Sequence, residues 1–168
     1  MKQLRPPLLI GILCLLVCSS CKVKYSLSGG SIPEGMKTMA VLFFENTAPQ
    51  VVPTLSNEFT EALKERIRSQ SGLSMVTSDA DGIMEGRITG YSITSSAVEG
   101  NNRAALNKLT ITVNVKYTNN VKTDDSFEQS FSRFVEFSGQ IQSQESELIR
   151  QINQMLTEDI YNRAFANW

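Results

Sequence analysis

Between Lys108 and Thr118 the chain alternates without a break. Leu109, Ile111, Val113, Val115 and Tyr117 are apolar, and Lys108, Thr110, Thr112, Asn114, Lys116 and Thr118 between them are polar. Successive side chains of a strand point to opposite faces, so this pattern builds one apolar face and one solvated face. That is the signature of an antiparallel sheet covered on one side, since a parallel sheet is normally buried on both.

The cover comes from two helical patterns. After Pro53, the residues Leu55, Phe59, Ala62, Leu63 and Ile67 share one face, with Glu58, Glu61, Lys64, Glu65 and Arg68 off it. Thr54 or Ser56 is placed to cap the start, and Gly72 to end it. From Ser143 to Trp168, a second stripe runs through Leu148, Ile149, Ile152, Met155, Leu156, Ile160, Ala164 and Phe165, with Ser143 or Ser146 as the expected cap.

Further strands complete the sheet. Thr38–Phe44 is a short apolar run with the character of a buried strand, and Leu73–Thr77 fits a short extra one. In Gly82–Ser95 the alternation is interrupted by Gly86 and Gly90, a spacing that suggests a bulge or a close crossing over the sheet. Phe127, Phe131, Val135 and Phe137 share one parity in the last strand, where Gln129 and Arg133 are exceptions, and Asn119-Asn120 and Thr123-Asp124-Asp125 mark the turn before it. The expected fold is α+β: a two-layer sandwich, a mainly antiparallel or mixed four-stranded sheet with two helices on one face.

The first twenty residues are an address. Lys2 and Arg5 precede an apolar run from Leu8 to Val17, too short for a bilayer span of roughly twenty residues. Cys18-Ser19-Ser20-Cys21 follows and resembles the lipobox of bacterial lipoproteins, although Cys18 stands where an aliphatic residue is usual. Cleavage before Cys21 leaves it as the single cysteine of the mature chain, a lipid acceptor with no disulfide partner. More than one acyl chain gives stable anchoring. The expected organisation is a signal peptide over 1–20, a lipid-anchored tether over 21–37 rich in Ser and Gly, and one α+β domain over 38–168. Lys22 after the cysteine differs from the Asp of inner-membrane retention signals, and Lys22-Val23-Lys24-Tyr25 is not an acidic surface-export run. Tyr25 and Leu27 are free to pack locally.

Composition narrows the chemistry. With no histidine, the chain cannot build a Ser-His-Asp or Cys-His nucleophile, a His-ligated metal site or an imidazole base. A formal net charge of −1 gives no footprint for a nucleic-acid partner. Asp79, Asp81 and Glu85 lack the turn glycine and bidentate Glu of a calcium loop and read as a solvated turn. Ser28-Gly29-Gly30-Ser31 lacks the Gly-Lys-Ser ending of a phosphate loop. No carboxylate pair stands out by spacing, so neither an enzyme nor a cofactor is expected beyond the lipid on Cys21. The polar loop from Val98 to Lys108 carries Arg103 and Lys108, cations suited to phosphate groups on a glycolipid.

Several blocks together resemble the LptE family of lipopolysaccharide-assembly lipoproteins, in its Bacteroidetes form. They are Ser31-Ile32-Pro33, Pro53–Ser56 with Phe59–Lys64, Glu85–Tyr91, Ala104–Val115, Phe127–Arg133 and the end from Asp159 to Trp168. The resemblance implies an outer-membrane lipoprotein that plugs a large β-barrel, the LptD subunit, from the periplasmic side. It further implies support for barrel assembly, binding of lipopolysaccharide and help in inserting it into the outer leaflet. Arg103 and Lys108 are then the candidate lipopolysaccharide contacts. Met39–Asn46 also resembles the first strand of periplasmic lipoproteins that activate cell-wall synthases, or of curli-secretion lipoproteins, which would make the chain a docking module or a ring component.

Overall fold

The computed structural model describes residues 32–96 and 106–166. Cys21, Arg103 and most of the expected tether lie outside them. The elements are β1 (Thr38–Val41), β2 (Glu45–Asn46), α1 (Leu55–Ser71), β3 (Ser74–Met75), β4 (Gly82–Ser96), β5 (Leu106–Asn119), β6 (Phe127–Phe137) and α2 (Glu145–Phe165). The architecture is the expected α+β sandwich, but the sheet has six strands rather than four, in the order β3-β1-β4-β5-β6, with β2 also paired to β4. The short extra strand expected within Leu73–Thr77 is β3, and the unexpected one is β2; both are two residues long.

The sheet is mixed. β4, β5 and β6 form an antiparallel meander, whereas β1 is parallel to both β3 and β4, and β2 is parallel to β4. Parallel neighbours need a crossover, and α1 supplies it between β1 and β3. The run read as one strand through Phe44 is broken: Leu42 and Phe43 are 40% and 58% exposed, and only Phe44 turns back into the core. The break is a handover along β4, with β1 pairing Gly82–Met84 and β2 pairing Arg87–Ile88.

The helices lie on one face and run the same way, since Arg66 Nη2 donates to the Gln154 carbonyl and, a turn later, the Tyr161 hydroxyl donates to the Gln70 carbonyl. Leu55, Phe59, Leu63 and Ile67 of α1, with Leu148, Ile152, Leu156 and Ile160 of α2, close over Met84, Ile88, Ile111, Val113, Val115 and Tyr117. Most of the expected core stripes are buried, whereas Met155 and Ala164 are only partly so and Ala62 lines the cleft between the helices.

The helix ends differ in part from expectation. Gly72 ends α1 in the left-handed region, at φ 68°, as a C-terminal glycine should. Thr54 precedes α1 but makes no side-chain cap bond. Neither Ser143 nor Ser146 caps α2. Gln144 holds that position, its amide donating to the Ser138 and Gln140 carbonyls at 2.8 and 3.0 Å.

Of the stretch read as tether, residues 32–37 are described, and Met36 is buried, 6% exposed. Asp81 clasps this entry. Its Oδ2 accepts from the Lys37 N–H, the Thr38 N–H and the Thr38 hydroxyl at 2.8–2.9 Å, and its own N–H donates to Thr38 Oγ1. Asp81 is thus not a free turn residue but the lock at the start of β1.

Candidate functional site

Among the described residues, no layer covers the back of the sheet, opposite the helices. β5 contributes Lys108, Thr110, Thr112, Asn114, Lys116 and Thr118, while Leu109 through Tyr117 of the other parity are buried. β6 adds Glu128, Ser130, Ser132, Phe134 and Glu136 in register, because Thr112 faces Ser132 and Asn114 faces Ser130. On β4 a bulge between Ile88 and Gly90 resets the parity. Before it, Glu85 and Arg87 point to the back; after it, Ser92 and Thr94 do. The interruption expected from the glycines is therefore at Gly90.

Short polar contacts tile this face. Thr112 Oγ1 and Ser132 Oγ lie 3.0 Å apart, and Lys116 Nζ donates to Glu85 Oε1 at 2.7 Å. The hydrogen bond and charge of Glu85, with Glu128 nearby, raise the Lys116 pKa. Its side chain is 53% exposed, so the pair contributes little to stability and serves to keep charges placed but balanced. Lys108 is not a bare cation: its Nζ sits 4.0 Å from the centroid of the Phe134 ring, which is 49% exposed. Phe134 was not visible as a site residue, because it has the polar parity of β6, and only the pairing to β5 brings it over Lys108.

A groove of about 540 Å³ indents the same face beside β2. Its walls include Leu42, Phe43, Arg87, Asn114, Lys116 and Glu128. Under it, Gly86 permits a close approach, since a Cβ there would overlap the Asn114 carbonyl oxygen and lie 2.6 Å from Phe44 Cε1. Phe44 is held from below by Phe59, with ring centroids 5.1 Å apart, and its N–H donates to the buried Thr60 hydroxyl. A second cleft, about 580 Å³, lies between α1 and α2 and is lined by Ala62, Arg66, Arg150 and Asn153 among others. Among the described residues, no group of three Cys, Asp or Glu is placed to hold a metal ion, and no helix is long and apolar enough to cross a membrane.

The surface is polar: hydroxyls and amides at sheet spacing, balanced charges, and one aromatic–cation pair. Of the two sequence-derived contact residues, Lys108 lies on it, and Arg103 falls outside the described residues.

The fold occurs elsewhere. A minor lipoprotein from Acinetobacter baumannii superposes with a TM-score of 0.51 at 15% identity, over 76% of this chain and 91% of that one. A hypothetical protein of Chlamydia trachomatis does so with a TM-score of 0.52 at 12% identity, over 79% and 99%. At these identities the likeness is one of fold. No curated protein matches the chain by sequence. The model of the lipopolysaccharide-assembly family LptE matches residues 36–164, from the buried Met36 to the last turn of α2. The chain belongs to the LptE family of lipopolysaccharide-assembly proteins.

Proposed function

We propose that this protein is an outer-membrane lipoprotein, anchored through lipid on Cys21, that plugs and supports the assembly of a lipopolysaccharide-transport β-barrel of the LptD kind. In this role it binds lipopolysaccharide and assists its insertion into the outer leaflet, without catalysing a reaction. The observation that carries the reading is the uncovered back face, a broad solvated surface of Thr, Ser, Asn and paired charges. The interior of a large transmembrane barrel is polar, so a protein seated there must present polar groups around a small core of its own. A buried hydrophobic interface of the ordinary obligate kind would need a different surface.

Lys108, with its ammonium over Phe134, and Arg103 are the proposed lipopolysaccharide contacts. A cation beside an aromatic ring suits a ligand that joins phosphate to acyl chains. The test is a detergent pull-down of the full-length lipidated protein from its own envelope. A near-stoichiometric large barrel is expected. Recovery with a cell-wall synthase, or as a ring of its own copies, would overturn the plug reading and leave the docking-module alternative.

A further inference from the structure

α1 and α2 lie side by side, but the seam between them is not closed. The cleft of about 580 Å³ runs along it on the helix side of the molecule, a volume in the range of small-ligand pockets. Ala62 stands on this seam, where its methyl group leaves space that a longer side chain would fill. In the facing wall, Asn153 of α2 is 3% exposed, and its Oδ1 is buried with no hydrogen-bond partner. Buried polar atoms are nearly always paired, so an unpaired acceptor in a cleft wall calls for a donor.

The charges along the cleft are sorted. Glu65 is paired with Arg68, and Arg150 with Glu147, each pair within one helix and exposed. Glu58 and Arg66 also line the cleft and are half-buried, yet among the described residues neither makes an ion pair. Arg66 uses one N–H on the Gln154 carbonyl, at 3.1 Å, and keeps its remaining guanidinium donors. By the helical rise, Glu58 and Arg66 stand about 12 Å apart along α1. Because Arg66 bonds Gln154, it is level with Asn153, the residue beside it. The cleft thus offers a carboxylate near one end, and a guanidinium with an unpaired acceptor near the other.

We propose that this cleft binds a short free peptide in extended form, its ammonium at Glu58 and its C-terminal carboxylate at Arg66. A chain of about four residues at ~3.3 Å each matches the separation of the two charges. The last peptide N–H, beside the carboxylate, falls level with Asn153. A small rotation of the carboxamide about its soft χ2 brings Oδ1 to that N–H as acceptor. The peptide supplies what each of the three side chains lacks: a cation for Glu58, an anion for Arg66 and a donor for Asn153. A simple anion would be repelled at Glu58, and a simple cation at Arg66, so the pair selects for a ligand charged at both ends. The cleft lies across the sheet from the polar back face, and the inference does not rest on the barrel.

The test is calorimetric titration of the full chain, purified in detergent from its own envelope, with tetra-alanine as the probe. Recognition is of the ends and the backbone, so alanine side chains suffice. Saturable binding is expected, weakened about tenfold or more when the probe is acetylated and amidated at its ends. Glu58→Gln and Asn153→Leu should each weaken it about tenfold. The thermal midpoint of Asn153→Leu should hold or rise, because leucine replaces an acceptor that has no partner in the fold. If Asn153→Leu does not fold, Ala62→Leu, which fills the cleft from the other helix, should abolish binding in its place. Absence of saturable binding, or binding that these variants leave unchanged, would overturn the proposal. Equal binding of the capped probe would overturn it too, and would assign the cleft to an internal segment of a protein partner.

Discussion

At the scale of single residues, two positions are fixed by geometry that their neighbours do not share. Gly86 lies where the Asn114 backbone and the Phe44 ring leave no room for a Cβ. Gly86→Ala should destabilise the domain by about 2–3 kcal/mol, as overpacking against backbone does, and denaturant unfolding measures it. At Gly72 nothing lies within 4 Å, so only its left-handed backbone resists substitution, and Gly72→Ala should cost about 1 kcal/mol. Asp81 is fixed by charge. The Lys37 N–H, then the Thr38 hydroxyl and N–H, hold its carboxyl below the usual carboxylate range. A carboxyl lowered in the folded state stabilises fully above its unfolded pKa of about 3.9 and progressively less as pH falls through the folded value. The stability difference between the unaltered chain and Asp81→Asn should therefore be constant near neutrality and shrink below about pH 4. Urea midpoints across the acid range check this. Sequence alone suggested a solvated acidic turn here, because the donors lie more than forty positions away in the chain.

Among elements, the decisive joints connect pieces distant in sequence. The Tyr91 hydroxyl donates to Glu145 Oε1 at 2.6 Å and ties the far half of β4 to the first turn of α2. Burial first, then the hydrogen bond and charge of Glu145, raises the Tyr91 pKa, while burial pushes Tyr117 up to about 12. A phenol whose pKa is raised on folding contributes stability below the ordinary value of about 10 and loses it as pH climbs through the folded value. Alkaline titration at the phenolate absorbance should show Tyr117 ionising near 12, and Tyr91 later. Tyr91→Phe should cost about 1 kcal/mol at neutral pH. The long helices and β5 were readable because their periods repeat over many residues. β3 was readable only as a short strand somewhere within Leu73–Thr77, and β2 was not readable as a separate strand, because a two-residue strand is made by its neighbours. The same limit hid the exposure of Leu42 and Phe43, which follows from β1 handing over to β2 along β4. The polar face of β5 was readable from alternation, whereas the Lys108–Phe134 pair needed the register of β6.

For the molecule as a whole, one face of the sheet packs against the helices, and the other is covered by none of the described residues. Changes on the back should separate folding from partner binding. Thr112→Asp with Asn114→Asp should leave the thermal midpoint within a few degrees, since surface substitutions rarely exceed about 0.5 kcal/mol each, yet reduce recovery of the proposed barrel partner severalfold. Loss of folding together with loss of partner would show that the face is structural instead. The mixed sheet also sets an order of events in time. β4, β5 and β6 follow one another along the chain as antiparallel neighbours, so their pairing closes comparatively short stretches of polypeptide. β1, by contrast, gains its places beside β3 and β4 only after the whole of α1 has been spanned, and distant pairings form more slowly. A newly made chain would thus assemble its contact surface before the strand nearest its entry point docks.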